Sequence, residues 1–425
     1  MEPIELYAEL LTNIRTVTLV ASLKSDSNCE TKAEISADGQ SITINHEAHS
    51  ATIRLPTQMT GGGTAALTLP AMPSKDLTLR LQLEEKSPGL LKFENGSENL
   101  VPWPSSAMGD GVQCRGCGVA LSREGAVSEW KDLPNENWAE MMDFWHCHKP
   151  HEHDHKHDDN AANSKGYSSS NKLAAKPGIG LVGLSYLLLM ADDCASIKAN
   201  EKEISSSDDS ASLLCTSCDA VIGVVDEGAD GWKLYKWSLQ LRKEGGVVES
   251  FAVSKWISTQ LLAAIENSGV RRFVVEPSTS QSQSSGGLLL WIFTDDLCFS
   301  SSVDRHSRCD PTRAMKIFYK SIDNPKEVIE KNQFSHEQLT FPTNIFEQLK
   351  QSLVESAKLL PSSARKFQDW NVGMLERFGE EDLKGLDVSV APTPEMEVQS
   401  KEGAEKEGKG EVSIEDIPNS SALLE

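Results

Sequence analysis

From about Ile14 to Leu83 apolar and polar residues alternate in short runs: TVTLVASL, TKAEISADGQSITINHEA, SATIRLP, AALTLPA and DLTLRLQLEE. A period of two sends successive side chains to opposite faces of a pleated strand, and turn residues such as ADGQ separate the runs. The pattern predicts antiparallel strands in a small sandwich or half-barrel, a scaffold in which no pair of polar residues points to chemistry. His46 and His49, in INHEAHS, fall at a strand end in this reading.

The middle of the chain changes character. After LVPWPSSAM (Leu100 to Met108) and CRGCG comes a short strand-like VALSRE, then LPNENWAEMMDFWHCH, where Asn135 is placed to cap a helix carrying Trp138, Met141, Met142 and Trp145 on one face. Two tracts, about 151–176 and 198–212, are too polar to bury a core and read as mobile insertions. Between them GIGLVGLSYLLLMADD is too short to span a bilayer and reads as a buried strand or short helix.

Beyond Leu213 the runs LLCTSCDAVIGVVDE, GWKLYKWSLQLR, RRFVVEP, LLLWIFTDDLCFSS and RAMKIFYKS read as strands. SKWISTQLLAAIENSG is an amphipathic helix with Trp256, Ile257, Leu261, Leu262 and Ile265 at helical spacing, and PTNIFEQLKQSLVESAKLL is another with Phe346, Leu349, Leu353 and Ala357. Such stripes read as core faces. The expected organisation is a β module over 1–95, a larger second domain over 96–380, and a disordered acidic tail over 381–425. The fold class is α+β and strand-rich, with an N-terminal antiparallel β module and a zinc-stapled mixed α/β domain.

Composition narrows the function classes. A chain of 425 residues with 39% hydrophobic and 24% charged content suits a folded protein of two or three domains. The net charge of −22 weighs against direct nucleic-acid binding, because proteins that grip phosphates carry a basic face. The opening MEPIELYAELLTNIRTVTLVASL has the pattern of neither a signal peptide nor a membrane anchor, so cytoplasm or nucleus is expected and no membrane contact.

That compartment is reducing, so the nine cysteines are read as metal or reaction chemistry before disulfides. Cys114-Arg-Gly-Cys117 and Cys215-Thr-Ser-Cys218 are two C-x-x-C turns, the unit from which four-thiolate structural zinc sites are built. Their separation is far longer than the usual ribbon spacing, which keeps reduced buried cysteines open as the alternative. Polar insertions between them can be looped out at small entropic cost. A closed four-thiolate site leaves no position for substrate, so its role would be to staple the domain.

Asp143 to Asp159, DFWHCHKPHEHDHKHDD, holds six of the ten histidines. His151, His153, His155 and His157 stand in a coreless tract that binds metal only weakly, the sole basis for a metal-storage role. Cys147 and His148 end the Trp-rich helix, but neighbours on a helix point about 100° apart and do not by spacing alone form a nucleophile–base pair.

LVPWPSSAM, the CRGCG knuckle, LPNENWAEMMDFWHCH, the CTSCDAVIG knuckle, LYKW, LLLWIFTDDL and RAMKIFYK, in this order over roughly residues 90–380, resemble the HECT-like ubiquitin-protein ligase family that binds ubiquitin-conjugating enzymes. The resemblance implies a ubiquitin-protein transferase that takes ubiquitin from a conjugating enzyme and promotes degradation of substrates, cyclin B among them. It also implies a partner in the endonuclease subunit of the pre-mRNA cleavage and polyadenylation machinery. Carried over, the segment Asn137 to His148, with Trp138, Trp145 and His148, would bind that partner, and Cys147 would ligate the partner's metals. The Thr-Cys motif near the end of true HECT domains has no counterpart here. Cys309 in HSRCDPTRAMK is the nearest candidate for a ubiquitin thioester, with His306, Arg308 and Arg313 placed to activate it. Without such a step the chain would be a non-catalytic inhibitor or assembly chaperone of the endonuclease.

Overall fold

Exposed and buried residues alternate strictly along Asp76–Gln82, and half-buried and buried ones along Ser41–His46, so each strand turns one face to a core. The computed structural model of the chain describes residues 4–11, 14–59, 65–67, 72–83, 99, 101–109, 111–133, 173–200, 211–278, 286–303, 308–332 and 335–383. Seven strands come first: β1 (Ile4–Leu11), β2 (Thr16–Leu23), β3 (Lys32–Ile35), β4 (Ser41–His46), β5 (His49–Arg54), β6 (Ala65–Leu67) and β7 (Asp76–Gln82). β1, β2 and β7 pair side by side, while β5-β4-β3-β6 form a four-stranded sheet. Ile4, Leu6, Leu10, Val17 and Leu19 from the first set pack with Ile42, Ile44 and Ile53 from the second, the sheet-on-sheet core that the alternation predicts. His46 closes β4 opposite His49, which opens β5, and the His46 ring is held by Ser25 Oγ and Thr31 Oγ1, both at 2.9 Å.

The middle strands are β8 (Val112–Cys114), β9 (Glu129–Asp132), β10 (Ile179–Val182), β11 (Tyr186–Leu189), β12 (Ile197–Ala199), β13 (Ser212–Cys215), β14 (Val221–Asp226), β15 (Gly231–Tyr235), β16 (Leu239–Arg242) and β17 (Val248–Glu249). Seven of them make one sheet in the order β12-β13-β14-β15-β11-β10-β9, and β17-β16-β8 make a small second one. GIGLVGLSYLLLMADD is therefore the hairpin β10–β11. VALSRE contributes only isolated bridges, Ala120 to Gln113 and Ser122 to Cys194.

Next come α1 (Val253–Ser268), β18 (Arg272–Ser278), β19 (Gly287–Ser301), β20 (Thr312–Ile322), α2 (Pro325–Lys331), β21 (Glu337–Pro342), α3 (Thr343–Ser356), β22 (Lys366–Phe367) and β23 (Trp370–Glu376). α1 ends on Gly269 in the left-handed conformation, its N–H donating to the Ile265 carbonyl, and Asn324 caps α2 by accepting from the Glu327 N–H. Trp256, Ile257 and Leu261 of α1 and Phe346, Leu349 and Leu353 of α3 are buried against Phe273, Leu290, Ile317 and Leu375 of the sheet. Each such fully buried side chain contributes roughly 1.5–3 kcal/mol of transfer free energy.

β19 organises the largest sheet. Along one edge it pairs with β20. Along the other, its first half takes β18, from Arg272–Trp291 to Val275–Leu288, and its second half takes β1, from Leu10–Cys298 to Tyr7–Ser301. Shifts of register around Thr294 bend the strand between the two partners. The described residues all fall within one compact unit. Among the described residues no helix is long and apolar enough to cross a membrane.

Candidate metal centre

Each C-x-x-C turn grows out of a strand end, the first from β8 and the second from β13. The two have the same backbone wiring. The Cys114 N–H donates to the Val119 carbonyl (2.9 Å) and the Gly118 N–H to the Cys114 carbonyl (2.8 Å), while the Cys215 N–H donates to Ala220 (2.9 Å) and the Asp219 N–H to Cys215 (3.0 Å). Gly118 (φ 75°) and Asp219 (φ 55°) both take the left-handed conformation that folds the turn back on itself. Each knuckle is also pinned from outside: the Arg115 N–H donates to the Ser238 carbonyl (3.0 Å) and the Thr216 N–H to Ser196 (2.9 Å). These supports were not legible in the spacing, since a backbone acceptor leaves no signature in residue type.

The four sulfurs converge. Cys114 Sγ lies 3.7 Å from Cys218 Sγ and Cys117 Sγ 3.6 Å from Cys215 Sγ, and all four lie within 4.8 Å of one another. Disulfide sulfurs approach to about 2.05 Å, whereas zinc bonds of about 2.3 Å to four tetrahedral thiolates set the sulfurs about 3.8 Å apart. The donor set and its spacing fit such an ion. Cys114 and Cys215 are buried and Cys117 and Cys218 exposed, so the cluster lies at the surface of its domain. A Cβ on Gly116 would come within 3.4 Å of Cys218 Sγ and 3.7 Å of Cys114 Sγ, so the glycine lets the turn close tightly over the sulfurs.

Electrostatics distinguish the thiols. Burial pushes the Cys114 thiol up to about 12 against the pull of the Cys117 and Gly116 amides. Cys215 is also raised by burial, but the amides of Ser217 and Cys218 aim at its sulfur and bring it below the usual thiol value. Amides aimed at sulfur stabilise the thiolate, the form in which cysteine ligates a metal.

Cys309 is exposed in the connection between β19 and β20. The cations flanking it in sequence are already engaged. Arg308 grips Asp310 through Nε (2.6 Å) and Nη2 (3.0 Å), and Arg313 grips Asp296 through Nε (2.7 Å) and Nη2 (2.9 Å). His306 lies outside the described residues, as do Trp138, Trp145, Cys147, His148 and the histidine tract from His151 to His157. Cys298, by contrast, is buried in the core that β1 and β2 share.

A family model described as HECT-like ubiquitin-conjugating enzyme (E2)-binding matches residues 9–372, a span that takes in both knuckles and the N-terminal strands from the end of β1 onward. The chain belongs to this family. The HECT-like chain is also similar to an uncharacterized protein of Saccharomyces cerevisiae, 27% identical over 326 residues that cover 70% of this chain and 86% of that one. An uncharacterized protein of Schizosaccharomyces pombe is 23% identical over 295 residues, 66% of this chain and 79% of that one. No solved structure matches the HECT-like chain.

Proposed function

We propose that the protein is a ubiquitin ligase that binds a ubiquitin-conjugating enzyme and promotes transfer of ubiquitin to a substrate. The observation that carries this reading is the E2-binding family match over residues 9–372. In the same proposal Cys114, Cys117, Cys215 and Cys218 hold a structural zinc, supported by sulfur spacings near those of a tetrahedral four-thiolate site. With all four positions taken, such an ion has no part in the transfer. It ties β8 to β13 and so fixes the two sheets of the middle region to each other. A reducing compartment, cytoplasm or nucleus, would keep these thiols free to bind it.

Transfer has two routes. In one, the Cys309 thiolate attacks the carbonyl of the conjugating enzyme's ubiquitin thioester; a new thioester forms on Cys309 and the enzyme's own cysteine leaves as thiolate. In the other, the substrate amine attacks the conjugating enzyme's thioester directly while this chain holds the two together. The carboxylates already gripping Arg308 and Arg313 favour the second route. Cyclin B belongs to this reading as a substrate. Inhibition of the cleavage endonuclease through Cys147 belongs to it as a separate activity, and would stand alone if no transfer occurs.

The deciding experiment is single-turnover discharge of a ubiquitin-charged conjugating enzyme. Faster discharge with the full chain than without it is expected, and an unchanged rate overturns the ligase reading. Cys309→Ser separates the routes: an alkali-labile oxyester band supports the first, and full discharge with no such band supports the second. A Cys147→Ala protein that inhibits the nuclease as tightly as wild type removes the metal-ligand role of Cys147.

A further inference from the structure

Two stretches singled out in the sequence, LVPWPSSAM and LYKW, meet at one place in the fold. Lys236 follows β15 and opens a short turn whose first N–H donates to the Ser185 carbonyl at 2.9 Å. Its side chain runs inward and is 1% exposed, and among the described residues it is the one lysine in the buried class. Nζ donates to the Trp103 carbonyl at 3.3 Å and stands 5.6 Å from the centre of the Trp256 ring. No described carboxylate lies within salt-bridge distance of it. An ammonium has three donors, and one carbonyl with one ring face leaves it short of partners.

The carbonyl that Lys236 does find comes from a strained residue. Trp103 has φ 65°, a left-handed backbone that a bulky side chain adopts at a cost. It is held there by its fully buried indole, which donates from Nε1 to Glu249 Oε2 at 2.7 Å and packs against Phe251 and Trp256, both with centroids at 5.6 Å.

Beside Lys236 opens a cavity of about 300 Å³, at the small end of ligand pockets. Its walls are chiefly apolar, with Val101, Val182, Leu184 and Tyr186, and its charged lining residues besides Lys236 are Asp132 and Glu266. Asp132 accepts from the Ser105 N–H (2.8 Å) and Oγ (2.6 Å) and makes no ion pair with Lys236, so its charge favours the ammonium only from a distance. Glu266 is exposed at the surface end of α1. Burial pulls the Lys236 ammonium down to about 7, outweighing the pull of the Asp132 charge in the other direction, as expected of a buried charge with no carboxylate in direct contact.

We propose that the cavity binds the carboxylate end of a ligand, its oxygens on Lys236 Nζ and its remaining atoms against Val101, Val182 and Leu184. A carboxylate supplies the acceptors that the buried ammonium lacks and converts an unpaired buried charge into a charge-assisted pair. Two carboxylates in the lining disfavour a dianion such as phosphate and favour a ligand with a cationic group behind its carboxylate. The ligand is either the C-terminus of a peptide or a small carboxylic acid.

The test is titration of the full chain, followed by backbone amide NMR, with three probes: acetyl-Arg-Gly-Gly, the same peptide as its C-terminal amide, and N-acetylglycine. The peptide acid is expected to bind at least tenfold more tightly than the amide, with shifts centred on Lys236 and Val182, and Lys236→Met is expected to abolish that preference. If N-acetylglycine binds as tightly as the peptide acid, the site takes small carboxylic acids. If only the peptide acid binds, it takes peptide C-termini. Equal binding of acid and amide, or no binding of either acid to the wild-type chain, overturns the proposal even if Lys236→Met fails to fold.

Discussion

Cys114 Sγ and Cys218 Sγ stand 3.7 Å apart although 104 positions separate them in the chain. A contact across so long a loop, matched by Cys117 with Cys215, joins strands of two different sheets. Native mass spectrometry of the wild-type chain is expected to show one zinc, and Cys114→Ser and Cys215→Ser are each expected to lose it. Both variants should unfold more easily by roughly 3 kcal/mol or more, because binding free energy at such a site is folding free energy. A chelator should destabilise the wild-type chain and leave the variants unmoved. Zinc retained by either variant would refute a shared site.

Lys236 gives stability a particular dependence on pH. Its folded value of about 7 lies below the usual lysine value of 10.5. Between those two pH values the unfolded chain holds a proton that the folded chain has lost, so this residue makes stability rise with pH. The rise is about 1 kcal/mol for each pH unit across the window. Below about 7 both states are protonated and the cost of burying the charge is fully present. Lys236→Met removes that cost, so the variant should exceed wild type in stability most clearly at or below pH 7, with the gap closing as pH rises. Urea unfolding of both proteins across this range reads the difference, and a gap that does not change with pH would count against the burial argument.

Glu9 of β1 accepts from Tyr7 Oη at 2.7 Å and pairs with Lys316 of β20, all three side chains being largely buried. Burial, with Glu9 beside it, holds the Tyr7 phenol well above its usual value. Glu9→Ala would strand the Lys316 ammonium and is expected to cost roughly 3 kcal/mol. The double replacement Glu9→Leu with Lys316→Met is expected to recover most of that loss, since it removes both charges. Denaturant midpoints of the single and double variants decide the point.

Gly223 in β14 faces Leu234 in β15, and a Cβ there would sit 1.8 Å from the Lys233 carbonyl oxygen. Gly223→Ala must therefore push the two strands apart, and a loss of roughly 3 kcal/mol or more is expected, the scale of severe core overpacking. Gly109→Ala is the control, because a Cβ at Gly109 meets nothing within 4 Å. Thermal unfolding should separate the two variants clearly.

The alternating N-terminal strands and both long helices were legible because each presents one face to a core and one to water, which is what periodicity records. β1 was not. It lies between β2 and β19 with most of its residues buried, and a strand covered on both faces loses its alternation. The hairpin β10–β11 reads equally as strand or helix for the same reason. At the candidate metal centre the four cysteines could be chosen from residue type and local spacing, while their convergence depends on strand pairing that spacing does not encode. Lys236 was visible only as a polar letter in an apolar stretch; that it points inward follows from the turn after β15 and from the bent backbone at Trp103.

The place of β1 in the largest sheet has a consequence for synthesis of the chain. Its second partner, β19, is made late: Leu10 pairs with Cys298, 288 positions further on (298 − 10). At translation rates of about 5–20 residues per second, roughly 15–60 seconds pass before that partner leaves the ribosome. Through that interval the edge of β1 offers unpaired backbone donors and acceptors to any passing strand. The nascent chain is thus most exposed to misassociation before its sheet can close, and a chaperone bound over the N-terminal strands would be needed longest in just this window.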